Sequence, residues 1–131
     1  MAASADYDRA TELVHEIGSL IVAAQMKDSD AWDSIAATAI VQGGSVQISG
    51  FFYEDGDKPK AARLGSSALA DRFEALSVAM QKPDSGRWVA ALVQIRRDTG
   101  RVTMDYEYTD PARWKVTPAN IATMAEQLRP R

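Results

Sequence analysis

The chain offers little to chemistry: one histidine, no cysteine and eighteen carboxylates in 131 residues. With His15 as the only histidine, a two-histidine metal site cannot form within one chain, and a Ser-His-Asp arrangement has little to build on. The lack of cysteine removes thiolate ligands, a cysteine nucleophile and disulfides. No G-x-G-x-x-G, P-loop or G-x-S-x-G motif is present. Asp105 and Glu107 stand two residues apart, a spacing that puts both on one face of a strand. Acid–base work needs two carboxyl groups whose pKa values are pushed apart. On the outer face of a hairpin, both in water, nothing separates them. The run Glu54-Asp55-Gly56-Asp57-Lys58-Pro59-Lys60 has the look of an acidic metal loop. Calcium loops, however, spread oxygen ligands over about twelve residues and end on a bidentate carboxylate, and lysines and a proline stand in those places here. The expectation is a protein that is not an enzyme, with no cofactor and no metal.

What remains is surface. The candidate partner-binding residues are Phe51, Tyr53, Glu54, Asp55, Asp57, Asp105, Glu107, Asp110, Arg113 and Trp114. Aromatic side chains beside carboxylates suit a protein interface: the rings bury area and the carboxylates select a basic partner. The plainer alternative is a solvated outer face, with Trp88 and Trp114 at the edge of the core and His15 on open surface.

These residues must be positioned by a sheet. Residues 87–108 read as one long hairpin. Val89, Ala91, Val93 and Ile95 alternate with their neighbours, as do Val102, Met104, Tyr106 and Tyr108, the pattern of strands with one buried face. Asp98-Thr99-Gly100 supplies the turn. A loop of two or four residues puts both apolar sets on one face, whereas an odd loop would flip one strand outward. Arg101, Thr103, Asp105 and Glu107 then form an outward polar ladder. Residues 34–42 and 45–54 form a second hairpin across Gly43-Gly44. A two-residue glycine loop pairs Val41 with Val46, Ala39 with Ile48, Ala37 with Gly50 and Ile35 with Phe52. The small residues in these pairs predict close packing by a helix. Phe51 and Tyr53 fall on the opposite, outward row, where large rings are unexpected.

Helices surround the hairpins. In residues 6–27, Tyr7, Ala10, Leu13, Val14, Ile17, Leu20, Ile21 and Ala24 form one apolar stripe. Gly18 lowers helix stability by up to about 1 kcal/mol against alanine and marks a place for close approach to the sheet. Ser66 or Ser67 caps a second helix running to Gln81, with Leu69, Phe73, Leu76 and Met80 inward. A polar loop covers residues 54–65, and an ordered loop or short edge strand covers 109–116. Thr117 as N-cap and Pro118 at the first helical position start a last helix, with Ile121, Met124, Ala125 and Leu128 against the sheet and Arg129 and Arg131 favouring its C-terminal end. The predicted fold class is α+β, an antiparallel sheet from two β-hairpins covered by helices, in the order α-β-β-α-β-β-α, as one domain over residues 1–131.

Composition is ordinary for a globular protein, 46% hydrophobic and 25% charged. No apolar stretch approaches the roughly 20 residues of a membrane span, and the N-terminus lacks the pattern of a signal peptide. A cytoplasmic location and no membrane partner are expected. Net charge is −3, which argues against nucleic acid as a ligand. The charge is uneven: residues 1–57 hold ten Asp/Glu and two Lys/Arg, net −8, and residues 58–131 hold eight and thirteen, net +5.

Trp88 opening a strand, the turn ending in Gly100, the run Asp105-Tyr106-Glu107-Tyr108 and the following Trp114 resemble the YezG-like family of bacterial immunity and antitoxin proteins. The resemblance covers roughly residues 87–115. That family often has phenylalanines where Met104 and Tyr106 stand, and often an acidic residue soon after the final tyrosine, as Asp110 is here. The resemblance implies a small cytoplasmic protein that binds and neutralises a cognate toxin domain, often a nuclease, delivered by contact-dependent or related secretion. An acidic protein suits a basic nuclease cleft. The rival is a type III secretion chaperone binding an effector protein, also small, acidic and α+β, usually dimeric and five-stranded. A homodimer is open for this chain.

Overall fold

A computed structural model describes residues 6–84 and 86–130. The role expected of Arg131 lies outside them. The element order is α1 (Tyr7–Asp28), β1 (Ser34–Gln42), β2 (Ser45–Tyr53), β3 (Lys60–Ala61), α2 (Ser67–Ala79), β4 (Ala90–Arg96), β5 (Arg101–Glu107) and α3 (Ile121–Gln127). The strands make one sheet in the order β3-β2-β1-β4-β5, with every neighbouring pair antiparallel. This is the α+β fold that the two alternating hairpins predict.

Both hairpin registers follow from the apolar alternation. Ala37 faces Gly50 and Ile35 faces Phe52 across β1 and β2. Arg96 faces Arg101 across a four-residue loop, so Val93 and Met104 share a face, as do Ile95 and Val102. Gly100 takes a φ of 68° to close that loop, a left-handed value that glycine reaches without strain. Strand β1 then pairs with β4 as well, Ala37 opposite Val93, which fuses the hairpins into one sheet.

Helices α1 and α2 pack on one face. Asp6 caps α1 by accepting from the Arg9 N–H, and Ser66 caps α2 by accepting from the Leu69 N–H. Leu13, Ile17 and Ile21 of α1 meet Leu69, Phe73 and Leu76 of α2 over Ile35, Ala37, Ala39 and Val93. Gly18 does mark a close approach: a Cβ there would sit 3.3 Å from Val102 Cγ2. Gly50 is filled by Leu64, from the loop before α2, rather than by a helix, and a Cβ there would meet Leu64 Cδ1 at 2.5 Å. Tyr7 departs from the expected stripe and stays 65% exposed at the helix start.

The second face of the sheet is also covered, and this overturns several expectations. Ala36, Ala90, Leu92, Phe51 and Tyr53 are buried there against Trp114, Ala125 and Leu128. Phe51 and Tyr53 are therefore core residues of a second apolar cluster, not exposed rings, and so is Trp114. The last helix begins at Ile121 rather than Pro118. Residues Thr117 and Asn120 first close a turn on each other, Thr117 N–H donating to Asn120 Oδ1 at 2.7 Å and Asn120 N–H to Thr117 Oγ1 at 3.3 Å. That shift leaves Ile121 46% exposed while Ala125 and Leu128 pack inward. The fifth strand is the two-residue β3, within the loop read as polar. Residues 109–114 hold bends and turns, not the edge strand considered there.

The burial of Phe51 is directly testable. Phe51→Ala removes a ring that is 5% exposed, so chemical denaturation should show a loss of about 3–5 kcal/mol, whereas truncating an outward ring would change stability by under about 0.5 kcal/mol.

Candidate functional site

The ten residues expected to contact a partner do gather on one side of the molecule, around α3, but in two roles. Phe51, Tyr53 and Trp114 form its pedestal. The Tyr53 hydroxyl donates to the Ala125 carbonyl oxygen at 2.8 Å, which anchors α3 to β2 in a buried setting. Burial pushes the Tyr53 pKa well up, and the nearby Arg129 offsets only part of that rise. An arginine lies over each of two rings: the Arg129 guanidinium is 4.8 Å from the Tyr53 ring centre, and that of Arg113 is 4.7 Å from the Trp114 ring centre. These placements combine cation–π attraction with hydrogen bonding at the guanidinium edge.

The carboxylates hold those arginines and the loops that carry them. Glu107, at the end of β5, is saturated. Its Oε2 accepts from the Thr109 N–H at 3.0 Å, the Thr109 hydroxyl at 2.9 Å and the Asp110 N–H at 3.2 Å, and its Oε1 accepts from Arg113 Nη1 at 3.1 Å. The backbone hydrogen bonds from Thr109 and Asp110, followed by the Thr109 hydroxyl, hold its carboxyl down at about 2. Glu107 thus braces the 109–114 turns and is not a free contact, which corrects its expected role. Asp110 accepts from the Ala112 N–H at 2.9 Å within the same turns.

On the other flank, Glu54 and Asp57 lie 3.4 and 3.8 Å from Lys60 Nζ. Arg129 donates to the Asp57 carbonyl oxygen at 3.1 Å and grips Glu126 with two bonds of 3.0 Å. Asp55 donates its N–H to Asp33 Oδ2 at 2.6 Å, leaving its own exposed carboxylate outward. The acidic loop is therefore tied to β3 and to the end of α3.

Between α3 and the Arg113–Trp114 turn runs a groove of about 450 Å³, lined by Leu92, Trp114, Met124 and Leu128 and completed by the exposed Arg113 and Gln127. Asp105 stands beside Leu92 across the β4–β5 ladder, so an exposed carboxylate rims the apolar floor. Leu92 and Met124 were missing from the expected site. Their signal was available, since Ala90 and Leu92 put apolar side chains on the supposedly wet row of β4. The arrangement can hold an apolar side chain flanked by charged groups. Among the described residues, no three His, Cys, Asp or Glu side chains are grouped to hold a metal ion.

A larger groove, about 660 Å³, opens on the opposite face between α1 and the β4–β5 turn, lined by His15, Ser19, Val22, Met26, Trp32 and Arg97 among others. Arg97 is committed there: it lies 4.7 Å over the Trp32 ring and donates to the Trp32 carbonyl oxygen at 3.2 Å. No described helix is long and apolar enough to cross a membrane. No protein-family model matches the chain, and no curated protein matches it in sequence.

The Glu107 brace carries a signed pH dependence. Its carboxyl is held from 4.5 down to about 2, so its contribution is complete above pH 4.5 and is lost as pH falls toward 2. Thermal melts should show the native protein more stable than Glu107→Gln near neutrality, with the gap closing across that acid window. A gap constant with pH would remove the brace.

Proposed function

We propose that this protein is a cytoplasmic immunity protein that binds and neutralises a cognate bacterial toxin domain, a nuclease of a contact-dependent or related secreted system. It acts by binding and not by turnover. One observation carries the proposal: of the residues that resemble the YezG-like family, Asp105 and Trp114 border the charged-rimmed groove and Glu107 and Asp110 build the turns beside it, while Trp88 and Tyr106 pack on the other face of the sheet. On that other face the Trp88 and Tyr106 rings meet at a tilt of 34°, with centres 5.6 Å apart. Glu107 ties the strand end to Thr109, Asp110 and Arg113, and Trp114 sits in the groove wall. Glu107 and Asp110 serve the turns, which leaves Asp105 of that run exposed beside the groove and without an ion pair among the described residues.

On this proposal Asp105, and beyond the groove Asp55 and Asp57, face the basic surface of the toxin and speed its approach. Tight binding comes from an apolar or aromatic toxin side chain seated against Leu92, Trp114 and Met124. A secretion-chaperone role has one observation in its favour, the five-stranded antiparallel sheet, although its fifth strand is only two residues long. A toxin gene or an effector gene beside this one separates the two.

The decisive experiment is co-expression with the neighbouring toxin, followed by a binding titration. The unmutated protein should protect cells. Asp105→Lys should fold normally, since Asp105 is exposed and makes no ion pair among the described residues. It should slow association and weaken binding about tenfold if its charge pair is desolvated, and much less at a wet rim. No protection by the unmutated protein overturns the function, and unchanged association by Asp105→Lys overturns the surface.

A further inference from the structure

The two edges of the sheet are built differently. At one edge β3 is two residues long and carries Lys60, with Pro59 before it. The open part of β2 beside it places Ser45, Gln47 and Ser49 on one row. Short strands, lysines and prolines are the usual guards against edge-to-edge pairing. At the other edge β5 runs for seven residues, Arg101–Glu107, with no proline and no slip in its register with β4. Its inward row, Val102, Met104 and Tyr106, is apolar and only half-buried. It has none of those guards apart from the charges on its outward row.

The open backbone groups of β5 can be identified. Val89 N–H donates to the Glu107 carbonyl oxygen at 2.8 Å, so the Glu107 peptide group faces β4. Backbone direction alternates along a strand. Arg101, Thr103 and Asp105 therefore also face β4, and Val102, Met104 and Tyr106 turn their N–H and C=O groups to the open edge.

We propose that β5 pairs antiparallel with β5 of a second copy of this chain, about a two-fold axis at Met104. This dimer is independent of the toxin-binding proposal. The register is the one with full seven-residue overlap, and it is self-complementary. Val102 meets Tyr106 and Met104 meets Met104, which engages every open backbone group in hydrogen-bonded pairs and joins the two inward apolar rows. On the outward row Arg101 meets Glu107 and Thr103 meets Asp105. Neither Arg101 nor Asp105 has an ion-pair partner within the chain among the described residues. Arg101 of the second copy lies beside the Glu107 carboxylate, an attraction of charges that does not displace Arg113. The outward side chains stay on the α3 side of the enlarged sheet, so Asp105 remains beside the groove.

Two substitutions at one position test the register in opposite directions. Thr103→Lys sets a cation opposite Asp105 and should tighten the dimer, while Thr103→Asp sets like charges opposite each other and should loosen it. Symmetry makes each change twice, so the dissociation constant should move by roughly 2- to 30-fold each way. Sedimentation equilibrium reads the constant, and far-ultraviolet circular dichroism checks that each variant is folded. The chain has no cysteine, so Met104→Cys introduces a lone thiol. Hydrogen-bonded antiparallel partners have Cα atoms about 5.5 Å apart, within disulfide reach. Mild oxidation should therefore link Met104→Cys into a covalent dimer, and should leave Ser45→Cys unlinked. A native protein that sediments as a monomer at every concentration overturns the proposal. So does a dimer that neither Thr103 substitution shifts, or one in which Met104→Cys fails to cross-link.

Discussion

Two strands of this protein have no wet side. The first part of β1, from Ser34 to Ala39, is buried residue after residue, and so is β4 from Ala90 to Val93. A strand that is apolar on both faces must be covered twice, or its second face stays in water at a cost of roughly 25 cal/mol per Å². Helices α1 and α2 cover one side. The other cover comes from the described chain that follows β5. Only seven residues of it are helical in α3, so Phe51, Tyr53 and Trp114 supply the remaining bulk. The three-layer architecture and the position of the candidate site both follow from that requirement.

The site is a consequence of how the second cover is attached. A seven-residue helix has too few internal hydrogen bonds to stand alone. It is held by the Tyr53 hydroxyl on Ala125, by Gln94 Nε2 donating to the Leu128 carbonyl oxygen at 2.9 Å, and by Arg129 reaching Asp57. The link between β5 and α3 is held by Glu107, whose two oxygens organise Thr109, Asp110 and Arg113. Charged residues thus accumulate around α3 because they tie it down. Those left over, Asp105 and Asp55, are exposed and make no ion pair among the described residues. This division of labour separates carboxylates that are alike in sequence: Asp105 and Glu107 are two residues apart on one row, yet one is solvated and the other is the most committed carboxylate of the turn.

Much of the fold was legible in the amino-acid order. Alternation in residues 34–53 and 89–108, the glycine turns and the cap Ser66 are local signals, and local signals specify strands, register and helix starts. A one-residue slip would reverse every side chain of a strand, so parity alone placed Val93 with Met104 and Ile35 with Phe52. The absence of cysteine and the single histidine bounded the chemistry in the same way, since no folding can supply a missing side chain.

What folding decided is which faces are covered and which carboxylates are free. Phe51 and Tyr53 alternate as an outer row whether that row meets water or α3, because period two reports sides and not neighbours. The continuous apolar runs in β1 and β4 hinted at a second cover, but its source, 72 residues away in sequence from Tyr53 to Ala125, is a long-range contact that no local pattern encodes. The same holds for Glu107: acid content marked it as surface, and only the turn folding back onto its oxygens made it a brace. Sequence determined the strands, their register and the chemistry they exclude; tertiary packing determined burial and hydrogen-bond saturation, because both depend on partners that the chain brings together only when it closes.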